Sequence, residues 1–122
     1  MVLLWLDDKR NPWEKDWIKF SPIKEPIEII WVKKYHEFVS WITEHGLPDA
    51  ICFDHDLSDI HIKKSTYNEK TGMDCAKWLV EYCLDNKVKL PKYNIQSSNP
   101  AGKDNIDGLL KGFIKFQNTE SD

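Results

Sequence analysis

Val2-Leu3-Leu4-Trp5-Leu6-Asp7-Asp8-Lys9-Arg10 is the stretch on which the fold turns. Five consecutive apolar residues give way at once to two carboxylates and two cations. A continuous apolar run of this length suits a strand covered on both faces, as in a parallel sheet, better than an alternating half-buried strand. Three further runs share the character: Ile27 to Val32, Ala50 to Phe53 and, more weakly, Tyr93 to Gln96. Helical periodicity separates them. Tyr35, Phe38, Val39 and Ile42 recur at helix spacing before Gly46-Leu47-Pro48 ends the segment. Met73, Ala76, Leu79, Val80 and Cys83 stripe the segment from Thr71 to about Asn86, and Ile106, Leu109, Leu110, Phe113 and Ile114 mark a third helix from near Pro100. Alternating strands and helices predict a small α/β domain with right-handed crossovers.

The chain has 122 residues, 41% hydrophobic and 30% charged, with net charge −3. That is enough for one core and too little for two ordinary domains. We expect a single domain over 1–117 and a frayed tail over 118–122. Its apolar runs are strand-sized, which excludes a transmembrane helix, and the early Asp7-Asp8 excludes a secretory signal. Three cysteines at unpaired spacings fit a reduced, cytoplasmic setting and read as buried small hydrophobes. Mild acidity speaks against coating duplex DNA by charge. The connection from Asp8 to Pro26 holds a short helical pattern only at Trp13 to Ile18. Leu57 to Lys70 is polar and long for a loop, as lids and binding loops are.

Ligands of open parallel sheets bind outside the carboxyl ends of the strands. The first strand delivers Asp7, Asp8 and Arg10 there, the third Asp54-His55-Asp56, and the fourth Ser97-Ser98-Asn99; the second offers only Lys33-Lys34. An acidic pair after one strand is often a turn or a cap. Three strand ends carrying polar groups to one edge point to a site. Crowded carboxylates repel unless a cation compensates, and an all-oxygen set suits Mg²⁺, with Mn²⁺ as its substitute. Asp7, Asp8, Asp54 and Asp56 are the candidate metal ligands. Ser97, Asn99, Lys103 and Arg10 are candidate phosphate contacts, helped by amides at the start of the third helix. His55 is placed to act as general acid or base. The tryptophans read mainly as core, with Trp13 and Trp17 able to wall a pocket.

Four segments taken in order resemble the cyclic-phosphate-processing receiver domain family, a divergent branch of the response-regulator receiver fold. They are Leu4-Trp5-Leu6-Asp7-Asp8 with Arg10 and Pro12, Phe53-Asp54-His55-Asp56-Leu57, Thr71-Gly72-Met73-Asp74, and Ser97 with Asn99-Pro100, Gly102 and Asn105-Ile106. The resemblance implies a flavodoxin-like three-layer sheet of order 2-1-3-4. It also implies that Asp7, Asp8 and Asp54 occupy the Mg²⁺ positions of ordinary receivers, Asp54 being the phosphorylated one, and that Ser97 matches the Ser or Thr ending the fourth strand. The chain departs from that pattern in two respects: a fifth strand and the lysine that follows it have no counterpart. We therefore expect phosphate processing, a metal-dependent phosphoesterase acting on a cyclic nucleotide or a 2′,3′-cyclic phosphate RNA end. The competing readings are a signalling module phosphorylated on Asp54 and a non-catalytic nucleotide- or protein-binding chain, such as a phage protein against nucleotide-signalled defence.

Overall fold

The computed structural model describes residues 1–13, 21–23, 28–54, 71–96 and 100–120, the side chain of Glu120 excepted. In chain order these form β1 (Val2–Leu6), β2 (Glu28–Val32), α1 (Tyr35–His45), β3 (Ala50–Phe53), α2 (Gly72–Asn86), β4 (Lys92–Ile95) and α3 (Pro100–Glu120). The strands make one sheet of order β2-β1-β3-β4, parallel throughout, as expected for a receiver-like α/β fold. Among the described residues no helix is long and apolar enough to cross a membrane.

The topology decides which face each element covers. Steps from β2 to β3 and from β3 to β4 run in one direction across the sheet, so right-handed crossovers put α1 and α2 on the same face. The step from β1 to β2 runs the other way, and Ile23 of its connection packs on the opposite face. The core follows this division. Leu4, Leu6, Ile51, Phe53 and Ile95 meet Phe38 and Ile42 of α1, Leu79 and Cys83 of α2, and Ile106, Leu110 and Phe113 of α3. Side chains alternate along a strand, so Leu3, Trp5, Ala50 and Cys52 project to the other side, where they pack with Ile23. The three described helices all cover one face. Of the third layer, the described residues supply Ile23 and the turn after β1.

Local chemistry sets the helix ends. Gly46 ends α1 with φ of 84°, where a side chain would be strained, and its N–H donates to Ile42 O at 2.7 Å. Thr71 and Asp74 form a reciprocal capping box at the start of α2: Asp74 Oδ2 accepts from Thr71 N at 2.8 Å, and Thr71 Oγ1 from Asp74 N at 3.4 Å. That gives Asp74 a structural task. Burial pushes the thiols of Cys52 up to about 12 and Cys83 up to about 11, and raises Cys75 further, so all three behave as buried apolar groups.

Two boundaries differ from expectation. β4 starts at Lys92 and ends at Ile95, one residue before Gln96, although Gln96 N still donates to Phe53 O at 2.9 Å. α3 continues to Glu120, so Asn118 to Glu120 are helical and not a frayed tail. The physical reason is docking. Gln117 donates to Val88 O at 2.9 Å and accepts from Leu90 N at 3.4 Å, which ties the end of α3 to the approach to β4. Beyond Trp13, the short helix expected to Ile18 lies outside the described residues, as does the loop from Leu57 to Lys70.

Candidate functional site

The residues that follow β1, β3 and β4 carry the ladder one step past the strands. Asp7 N donates to Val32 O at 3.1 Å, Asp54 N to Leu6 O at 2.9 Å, and Gln96 N to Phe53 O. The register continues Phe53↔Ile95 to set Asp54 beside Gln96. Asp7, Asp54 and Gln96 thereby inherit the face of Trp5, Cys52 and Asn94, the one opposite the three helices.

Asp7 is fully buried. Burying a carboxylate is costly unless fixed donors replace water, and here four do. Oδ1 accepts from the backbone N–H groups of Lys9 and Arg10, both at 2.9 Å, which closes a tight turn. Oδ2 accepts from Arg10 Nη1 at 3.1 Å and from Gln96 Nε2 at 3.4 Å. Two indoles hold the backbone of the same turn: Trp31 Nε1 donates to Asp7 O at 2.7 Å, and Trp5 Nε1 to Arg10 O at 2.9 Å.

Around this turn a carboxylate cluster forms. Asp7, Asp8 and Asp54 each offer an oxygen, and these atoms lie within 4.8 Å of one another. Arg10 Nη1 is 3.8 Å from Asp54 Oδ1 as well as bonded to Asp7, so one guanidinium offsets part of the charge of both acids. Gln96 adds a further oxygen. Its Nε2 donates to Leu6 O at 3.1 Å and to Asp7, both acceptors, which fixes the amide orientation. Its Oε1 is buried with no hydrogen-bond partner among the described residues. An all-oxygen donor set with an orphaned buried amide oxygen beside it fits a hard divalent cation better than a soft one.

The structure thus brings together Asp7, Asp8, Asp54 and Arg10. Lys103 is exposed near the start of α3, and among the described residues no hydrogen bond or ion pair joins it to the cluster. His55, Asp56, Ser97 and Asn99 lie outside the described residues. Gln96 was missed by sequence reading, where it passed for the last residue of a strand. The signal for it lay in the register, since any polar residue opposite Asp54 must reach the same edge. The bonds from Trp5 and Trp31 were also missed, because both residues fall inside apolar runs.

The family comparison agrees with this geometry. A family model described as the cyclic-phosphate processing receiver domain matches residues 2–112, which carry every element from β1 through most of α3. No curated protein and no solved structure matches the chain. With the match spanning nearly the whole sheet and the acidic edge, the chain belongs to the cyclic-phosphate-processing receiver domain family.

Proposed function

We propose that the protein is a metal-dependent phosphoesterase that opens a cyclic phosphate ester, carried by a nucleotide or by the 2′,3′-cyclic end of an RNA. The observation behind this reading is the gathering of Asp7, Asp8 and Asp54 around Arg10 at the carboxyl edge of the sheet, in a chain of this family. Mg²⁺ or Mn²⁺ is the proposed cation, held by Asp8 and Asp54. Bound there, it supplies charge neutralisation on the phosphate and activation of water. Both oxygens of Asp7 are already engaged by protein donors, which suits a residue that orients the turn and meets the cation through water. Asp56 is assigned the same water-mediated role from its place two residues after Asp54.

The reaction adds water across one P–O bond of the ring. Water attacks phosphorus and releases one proton to solvent, the ester bond to one ring oxygen breaks, and that oxygen takes a proton from His55, which regains one from solvent, leaving a monoester. Assigning His55 as the acid rests on its adjacency to Asp54 in the chain. Ser97, Asn99 and Lys103 follow the fourth strand and are assigned to the phosphate oxygens. Arg10, already paired with Asp7 and near Asp54, is assigned to the phosphate oxygens as well.

Phosphorus NMR of 2′,3′-cyclic nucleotides with Mg²⁺ tests the reading. Turnover should stop with EDTA and return with Mg²⁺ or Mn²⁺. Asp54→Asn should lower it by about a hundredfold or more, the scale of a lost electrostatic contact to the reacting group, while its circular dichroism stays native. Wild-type rates in Asp54→Asn would sink the assignment. A hydroxylamine-sensitive mass gain on Asp54 after incubation with a small phosphodonor, without ester hydrolysis, would move the protein to the signalling reading.

A further inference from the structure

We propose that Trp13 is a stacking platform for the base of the substrate, so that the ester processed at this edge is a nucleotide rather than a base-free phosphate. The inference rests on the reading above, that the carboxylate edge takes a phosphate ester, and specifies what the far end of that ester must carry.

Trp13 is 62% exposed, a large apolar ring left in water. It is nonetheless held in place. Trp13 N donates to Asn11 Oδ1 at 2.9 Å, Pro12 stiffens the backbone between them, and Arg10 O is bonded by the buried indole of Trp5. The ring meets Trp31 edge-on, with centroids 6.1 Å apart and planes at 70°. Trp31 in turn donates to Asp7 O at 2.7 Å. Two contacts therefore connect the exposed indole to the acidic turn. A ring that served only to cover the sheet would be buried against it.

Trp31 is not the platform. It is partly buried, and Lys33 Nζ lies 4.4 Å from its ring centroid. That cation–π contact places a positive charge over Trp31 and leaves Trp13 as the open ring of this pair. The proposed pose lays a planar base on Trp13 with its phosphate at the carboxylate edge, to which the ring is linked through Trp31 and Asp7. With its backbone fixed and its ring against Trp31, Trp13 gives up less rotamer freedom on stacking than a ring with no neighbour would.

The test compares 2′,3′-cyclic AMP with glycerol 1,2-cyclic phosphate, which has the same five-membered ester and no base. Calorimetric titration in Ca²⁺ gives the ratio of affinities for wild type, Trp13→Ala and Trp13→Phe, and phosphorus NMR in Mg²⁺ follows turnover alongside. Wild type should prefer the nucleotide. The preference should fall about tenfold in Trp13→Ala, the scale of one base–aromatic stack, and stay within about threefold in Trp13→Phe, which keeps a ring. The proposal is overturned if wild type binds both esters alike, if neither binds, or if Trp13→Ala keeps the preference. Hydrolysis without Trp13 dependence removes the platform and keeps the phosphoesterase. Trp13-dependent binding without hydrolysis does the reverse.

Discussion

The two faces of the sheet are built on different principles. On the helix face, fifteen described buried apolar residues from the strands and three helices close around Phe38 and Phe53. On the opposite face, five buried apolar residues among those described lie beneath a turn whose centre is a fully buried carboxylate. Amphipathic helices bring apolar stripes, which is what a core needs and what an ionised group cannot use. A turn brings free backbone N–H groups. Asp7 takes two of them, and its remaining bonds come from Arg10 and Gln96. The division separates an apolar packing face from one that also holds charge.

The largest expected effect tests that separation directly. Phe38 is fully buried, with ring centroids 5.9 Å from Phe53 and 6.1 Å from Trp78. Phe38→Ala should cost about 3–5 kcal/mol by lost transfer energy and a residual cavity, read as a lower urea midpoint. Whatever fraction stays folded should keep its cation and ester affinities, since Phe38 faces away from the site. Altered selectivity in the folded fraction would mean that the faces are coupled.

Asp7→Asn probes the other face and should cost less, about 2–4 kcal/mol. The amide keeps the shape but removes the charge facing Arg10, and its single oxygen cannot serve both the turn and the Arg10–Gln96 pair, because the NH₂ in place of the other oxygen only donates. Here stability and function should fall together: the shift of the melting midpoint by Mg²⁺ should shrink along with the midpoint itself. A destabilised variant that keeps the full Mg²⁺ shift would show Asp7 to be scaffold only.

How far the sequence carried this division depended on whether a feature was local. Val2 to Leu6, followed by Asp7-Asp8, announces both a buried strand and a polar strand end, because both are properties of consecutive residues. The same holds for Ala50 to Phe53 with Asp54. Gln96 was not legible, since its importance comes from lying beside Asp54, and that pairing exists only once β3 and β4 are in register. Trp31 looked like core for the same reason: its indole N–H finds Asp7 O across 24 residues. Asp74 shows the opposite case. Thr71 and Asp74 have the spacing of a capping box, a signal that was local and present, yet it stood as part of a family motif.

The smallest expected effect falls on the helix face and has the opposite sign. Gly108 and Gly112 sit inside α3, exposed, with none of the positive φ that would call for glycine. An added Cβ would meet nothing within 4 Å at either position. Glycine in a helix interior loses more backbone freedom on folding than alanine does, so each Gly→Ala change should stabilise by about 0.5–1 kcal/mol. The two sites lie on one helix face but do not touch a shared partner through a missing Cβ, so the double variant should give close to the sum. Urea midpoints of Gly108→Ala, Gly112→Ala and the pair measure this. A loss of stability would mean that α3 needs a close approach there which the monomer does not show. A gain, with the nucleotide preference unchanged, would confirm that the helix face can be strengthened without reaching the charged edge.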